Sequence, residues 1–335
     1  MKKIAIHWLC FFMLFFVLSC SEFLIDDPVD GDIRTKDFEN AWAIVDEWYP
    51  YFEYKKINWD SLYTVYSPLV QASHSDEYLL IINRMLLELR DGHVATILKN
   101  GQYLPVYRTP RQIKDQNSFD VAVTETYLTT ELYSIEDGRI QYGLIGNLGY
   151  LRVSTLINGD WISGIKDVFD WLNDTEGLIL DVRHNCGGST SVAQQIVEKC
   201  IQNPLVTPGW TEKDIFHNGP VIEPDLNTNY TNPIVILANG NVFSSGEHLV
   251  MWMQHIDHVT FIGDTTAGAS GNPLNFTLPS GNEIKVSTRC FYRYDGTPIE
   301  WNGIVPDHLV QQTETDIQDG RDRQLEYSIE YLSDR

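Results

Sequence analysis

Gly177-Leu178-Ile179-Leu180-Asp181-Val182-Arg183-His184-Asn185-Cys186-Gly187-Gly188 is the stretch on which the architecture turns. Its apolar run shows no polar alternation, as expected of a strand buried on both faces. The run ends in a polar turn and two glycines, and Val192, Ile196, Val197 and Cys200 then mark a helix. Consecutive glycines after a strand let backbone N–H groups approach a ligand closely, and the next helix adds a positive end. Such a turn can form half of an oxyanion hole; equally it can be a tight strand-to-helix turn. The pattern recurs downstream, where Pro233–Ala238 reads as a strand and Ser245–Gln254 as the helix after it. Between them lies Asn239-Gly240-Asn241-Val242-Phe243-Ser244-Ser245-Gly246-Glu247. A serine at that helix start is exposed, and the following N–H can point at a developing oxyanion. An ordinary serine N-cap is the plainer reading of the same residues.

Working outward, residues 37–90 read as helical. Asp37 is placed as an N-cap, with Trp42, Val45, Tyr49 and Phe52 at helical spacing and Pro50 ending the segment. Asp60 is expected to cap a second, short helix. A third follows Ser75, with Leu79, Ile82, Leu86 and Leu89 along one face. This bundle stops at Asp91-Gly92-His93. Beyond it, Phe119–Thr124, Ile140–Leu144 and Tyr150–Val153 are expected as strands, and Asn275–Leu278 with Glu283–Thr288 as a hairpin around Ser280-Gly281-Asn282. The sum is an α+β or α/β chain with an N-terminal helical cap. The divisions expected are a leader over 1–20, a linker over 21–36, the cap over 37–95, a connecting β-rich segment over 96–145, the core over 146–315 and a tail over 316–335.

The 335 residues carry 24 Lys+Arg against 46 Asp+Glu, a net charge of −22. A nucleic-acid partner is therefore not expected, for want of a positive field. No phosphate loop, C-x-x-C pair or H-E-x-x-H occurs, so neither a metal nor a cofactor is expected. Lys2 and Lys3 precede an apolar run ending in Val17-Leu18-Ser19-Cys20. This resembles a bacterial lipobox, whose cysteine receives the lipid after cleavage; an uncleaved anchor is the alternative. The expected location is the cell envelope, tethered by lipid to a membrane, the outer one by preference, on its periplasmic or outer face. With Cys10 in the leader and Cys20 lipidated, Cys186, Cys200 and Cys290 remain, too few for a disulfide framework.

A serine nucleophile needs a base. His74, His217, His255, His258 and His308 fall in loops or near element ends. His184 lies in the glycine turn without an evident orienting partner, and His248 is one helical turn after Ser244. His93 follows Leu-Arg-Asp-Gly, where a helix stops and the chain must turn.

Together these stretches resemble the C-terminal-processing and tricorn-core-like serine peptidases. The family's D-x-R-x-N-x-G-G turn is matched by Asp181, Arg183, Asn185, Gly187 and Gly188, and its serine three residues before a glutamate by Ser244 and Glu247. Gly303-Ile-Val-Pro-Asp307 matches its G-[IV]-x-P-D stretch. The processing branch places a lysine after a G-[DE]-x-T-x-G stretch, but here Gly263–Gly268 is followed by Ala269, and Lys285 downstream matches no motif. The resemblance therefore points to the tricorn branch, with Ser244 as nucleophile, His93 as general base and Glu300 orienting the imidazole; Asp295, Asp264 and Asp91 are rival carboxylates. It also implies an oxyanion hole from Ser245 and one of Gly187 or Gly188, and a ClpP/crotonase-like spiral of ββα units behind the cap. A PDZ module of the processing branch is not expected, since 56 residues separate His93 from Tyr150. The function so implied is a lipid-anchored serine endopeptidase acting on peptides or proteins. Two other readings stay open: a degenerate ligand-binding lipoprotein on the same fold, and a partner-binding lipoprotein using Trp42, Trp48, Tyr49, Tyr51, Tyr54 and Trp59.

Overall fold

The computed structural model describes residues 31–74 and 77–335, so the leader and Cys20 lie outside the described residues. Its centre is a seven-stranded sheet: β1 (Tyr133–Ile135), β2 (Ile140–Ile145), β3 (Leu148–Val153), β4 (Gly177–Asp181), β5 (Ile234–Ala238), β6 (Val259–Gly263) and β7 (His308–Leu309). The strands lie side by side in chain order. β1, β2 and β3 pair antiparallel, and β3 through β7 pair parallel. Parallel neighbours need crossovers, supplied here by helices Ile165–Leu172, Thr190–Val197 and Ser245–Gln254. Alternate strand residues serve opposite faces. Leu178, Leu180, Ile234 and Ile236 pack toward the crossover helices, while Ile179, Val235 and Leu237 pack with Leu325 and Leu332 of helix Arg323–Ser333. The segment after residue 315 thus covers the second face of the sheet.

The cap consists of helices Gly31–Trp48, Phe52–Lys55, Trp59–Ala72 and Glu77–Leu87. Leu79, Ile82, Leu86 and Leu89 are all buried, as their spacing predicts. Two expected caps differ. The first helix begins at Gly31, so Asp37 lies within it, and its carboxylate accepts Tyr78 Oη (2.9 Å) and Ser280 N–H (2.8 Å) instead. The third begins one residue before Asp60, with Asn58 Oδ1 accepting Ser61 N–H at 2.9 Å. Phe119–Thr124, expected as a strand, instead contains the start of a short helix, Val121–Glu125. The Asp120 carboxylate accepts Ala122 N–H at 2.9 Å, and that cap overrides the local strand preference.

The cap is sewn to the rest by a second sheet. Ala95–Ile97 pairs antiparallel with Glu283–Val286, which forms the expected hairpin with Leu274–Thr277. Leu278, Ile284, Val286 and Cys290 share one buried cluster with Phe38, Val45, Tyr49, Tyr51 and Met85. The cap aromatics are mainly core: Tyr49, Tyr51 and Trp59 are buried, and Trp42, Trp48 and Phe52 pack on the same cluster. Among the described residues no helix is long and apolar enough to cross a membrane.

Candidate active site

Because β4 and β5 are adjacent and parallel, the loops leaving their C-terminal ends lie side by side, the usual place for a site in such a sheet. The first loop is rigidly braced. Arg183 is fully buried, with Nη2 2.6 Å from Asp181 Oδ2 and Nη1 2.7 Å from Asp322 Oδ1. The Tyr150 hydroxyl donates to Asp181 as well. Burial disfavours charge on Asp181 and Arg183, but the ion pairs win: the Asp181 carboxyl is held below its usual range and the Arg183 guanidinium above its own. Asn185 Nδ2 donates to Val153 O, and Asn185 Oδ1 accepts Gly187 N–H at 2.8 Å. The conspicuous polar residues of this loop are therefore scaffold.

The second loop carries Ser244 at φ 58° and ψ −129°, a left-handed conformation costly for a residue with a Cβ and typical of a functional constraint. It is held there from both sides. Ser244 N–H donates to Ala269 O at 2.9 Å, and Glu247 N–H donates back to Ser244 O. The buried Glu247 carboxylate accepts Thr266 Oγ1, Gly268 N–H (2.7 Å) and Ala269 N–H (2.8 Å). Burial pushes its carboxyl up to about 7 despite those donors. Glu247 thus fixes the loop that fixes Ser244. Ala269, standing where the processing branch carries lysine, supplies a carbonyl.

The two loops touch. A Cβ added to Gly187 would sit 2.7 Å from Phe243 O and 2.9 Å from both Ser244 Cβ and Ser245 N. Gly187 N–H is taken by Asn185, whereas the N–H groups of Gly188 and Ser245 have no recorded hydrogen-bond partner among the described residues. Of the two glycines considered, Gly188 therefore retains a donor.

His93 enters from the cap. Its ring stacks on Phe243, the residue before Ser244, at 4.2 Å between centroids, and is buried with neither nitrogen hydrogen-bonded. Burial first, then the charges of Lys285 and Lys55, press it down to about 4, against the opposing pull of Asp91. Asp91 is the carboxylate recorded beside the ring, with Oδ1 3.9 Å from Nδ1 and accepting His93 N–H at 2.8 Å. Lys285 reaches this region because it sits opposite Ala95 in the second sheet.

Glu300 lies in the same buried cluster but has no recorded bond to His93. Its Oε1 is 2.6 Å from Lys55 Nζ, and its Oε2 accepts Ser270 N–H at 3.4 Å. Burial and the neighbouring Asp91 push its carboxyl up to about 8, against the pull of Lys55. The other rivals are elsewhere, Asp264 paired with Lys114 and Asp295 with Arg293. His248 Nε2 meets Ser270 Oγ at 2.8 Å, its ring lies against Phe291, and burial lowers it to about 4. His184 turns away to Asp115 O and Asn241. Cys186, Cys200 and Cys290 are all free thiols. Sequence reasoning missed Lys55 and Ser270 and gave Tyr51 only as a partner-binding aromatic; Lys55, the first of the pair Lys55-Lys56, carries no mark of burial in the sequence.

A cleft of about 330 Å³ opens next to these loops. Thr190, His248 and Asn272 each continue one of them, and Trp210, Trp252 and Phe291 complete an aromatic wall.

Comparison with known proteins agrees with this layout. Residues 147–310 match the model of peptidase family S41, and residues 32–87 match the tricorn protease C1 domain. A carboxy-terminal-processing protease of Bartonella bacilliformis is 26% identical over 180 residues, covering 52% of this chain and 41% of the relative. Tricorn protease homolog 1 of Streptomyces coelicolor is 30% identical over 191 residues, covering 55% of this chain and 16% of the relative. The chain thus spans less than half the length of these relatives. Among solved structures, a putative peptidase of Parabacteroides merdae superposes with a TM-score of 0.77 at 27% identity, covering 89% of this chain and 96% of that one. Mature CPAF in complex with lactacystin shares the fold at a TM-score of 0.67 and 12% identity, over 90% and 98% of the two chains. A mixed α/β fold with an N-terminal helical region is common ground, and residues 147–310, which hold both site loops, belong to peptidase family S41.

Proposed function

We propose that the protein is a serine endopeptidase of the cell envelope, tethered by lipid at Cys20, with Ser244 as nucleophile and His93 as general base. The reading extends to a ClpP/crotonase-like ββα spiral for the core. One observation carries it: Ser244 is held at a strained φ of 58° where a helix begins, with unpartnered N–H groups on both neighbouring loops and an imidazole stacked on the preceding residue. Ser244 Oγ would attack the peptide carbonyl carbon while His93 accepts its proton. The carbonyl oxygen, as it gains charge, would be met by Ser245 and Gly188 N–H. His93, neutral at neutral pH, is free to take that proton, and the Asp91 carboxylate stabilises the imidazolium that results. The proton then passes to the leaving amine, and water repeats the sequence on the acyl-enzyme. Glu300, assigned to orient the imidazole by resemblance, acts in this reading through the shared Lys55–Asp91 cluster. The aromatic cleft would receive a large substrate side chain.

The test is labelling of protein lacking residues 1–20 with a fluorophosphonate probe. Labelling of Ser244 that is abolished in Ser244→Ala and falls by roughly 100-fold or more in His93→Ala is the expected result. A folded wild type that resists labelling would favour the degenerate ligand-binding reading.

A further inference from the structure

Lys55 ends the short helix Phe52–Lys55, and its ammonium is fully buried. Buried lysines ordinarily lose their charge unless the surroundings supply compensation. Here the surroundings are complete. Nζ donates to Leu89 O (3.0 Å), Arg90 O (3.1 Å) and Glu300 Oε1 (2.6 Å), which uses all three of its protons. The rings of Tyr49, Tyr51 and Trp301 surround it at 5.6, 5.4 and 5.3 Å, presenting π-faces that favour a cation. Asp91 Oδ2, which has no hydrogen-bond partner, lies 4.0 Å away.

The hydrogen-bond partners lie at two distant places in the chain. Leu89 and Arg90 lie in the turn that follows cap helix Glu77–Leu87 and leads into Asp91-Gly92-His93. Glu300 comes from the far end of the core, and its other oxygen accepts Ser270 N–H. Ser270 O in turn accepts the Tyr51 hydroxyl at 2.7 Å, and Ser270 Oγ meets His248. A single ammonium therefore ties the turn that carries the base to Glu300 and, through Ser270, to the loop whose Ala269 carbonyl holds Ser244. Among the described residues it is also the cation that two buried carboxylates, Asp91 and Glu300, share.

We infer that Lys55 is a positioning residue of this peptidase: it clamps the His93 turn to Glu300 and sets the charge of the buried cluster in which His93 works. The inference rests on the Ser244–His93 reading above. The groups facing His93 and Lys55 are Asp91, Glu300, Lys285, Tyr49, Tyr51, Glu247 and His248. Replacing Lys55 by a neutral residue removes a positive charge that opposes protonation of His93, so the imidazole gains protons at a higher pH. A base must be deprotonated to act, and the acid limb of kcat/KM follows it upward.

The test uses full-chain protein lacking the leader, wild type against Lys55→Met and Lys55→Gln. His93 is followed by NMR titration, assigned with His93→Gln, and turnover by a fluorogenic peptide across pH. The expected result is a His93 midpoint displaced to higher pH, an acid limb displaced with it, and kcat lower by roughly 10- to 100-fold at little change in KM. Should neither neutral variant fold, Lys55→Arg serves: the charge is kept and the geometry altered, so turnover falls while the His93 titration stays where it was. A His93 midpoint and acid limb unmoved in a folded neutral variant would overturn the inference, as would full turnover in Lys55→Arg with a displaced midpoint. The NMR arm needs no peptidase activity, so failure of the Ser244 reading would show separately, as wild-type protein that neither labels nor cleaves while His93 still responds to Lys55.

Discussion

His248 and Glu247 are neighbours on one helix, and burial acts on them with opposite consequences for stability. The His248 imidazole is pressed to about 4 in the folded chain, against an unfolded value of roughly 6.5. Its contribution is present above about 6.5 and is lost as pH falls through about 4, because the unfolded chain binds more protons in that window. Glu247 is raised to about 7, from an unfolded value of roughly 4.3. Its contribution is present below that unfolded value and is lost as pH rises through about 7. Thermal melts across pH should therefore fall less steeply from 6.5 to 4 in His248→Gln than in wild type, to the order of a few degrees. Glu247→Gln should flatten the opposite slope between about 4.3 and 7 while lowering Tm at every pH, since a neutral amide cannot accept all three donors. Ser244 and His93 stood out as candidates from the residues around them. Their surroundings were not: Glu247 is marked by its spacing from Ser244, but its donors, Thr266, Gly268 and Ala269, follow only from the loop's return.

Among the elements, the first strand-to-helix loop depends on glycine in a way that an ordinary surface turn does not. Gly187 and Gly296 both have φ near +80°, so alanine at either carries a left-handed cost of about 1–2 kcal/mol. Gly296 faces open space, whereas a Cβ on Gly187 would overlap Phe243 O and the Ser244 backbone. The expected outcome is a fluorophosphonate labelling rate lowered by roughly 100-fold in Gly187→Ala and left unchanged in Gly296→Ala; equal labelling of the two would remove the loop contact from the mechanism. The elements themselves were readable where the periodicity was strong. Ser245–Gln254 matches its sequence reading, and the β4 and β5 strands come within a residue or so of theirs. Phe119–Thr124 failed because one aspartate cap outweighs several β-branched residues, and the first helix starts six residues before Asp37 because the helical register runs on through it.

For the molecule as a whole, the helical cap and the peptidase core share a hydrophobic cluster and a three-stranded sheet. The Tyr51 hydroxyl, buried among them, donates to Ser270 O and Arg289 O at 2.7 and 2.9 Å. Cap and core are therefore expected to unfold together: loss of Ser244 labelling and of the cap's tryptophan fluorescence should coincide in one denaturant transition, and Tyr51→Phe should shift both by about 1–3 kcal/mol. Separate transitions would show the cap to be an independent unit. By itself the sequence determined the helical cap, the buried parallel strands, the glycine and serine loops and the family to which they belong, because each of these is written in residues close together in the chain, where periodicity and turn chemistry act. The tertiary structure alone decided which charges meet. Arg183 finds Asp322 across 139 residues and Lys55 finds Glu300 across 245. Nothing local specifies such pairs; they form because folding withdraws these groups from water, and a buried charge persists only where the fold brings it an opposite one.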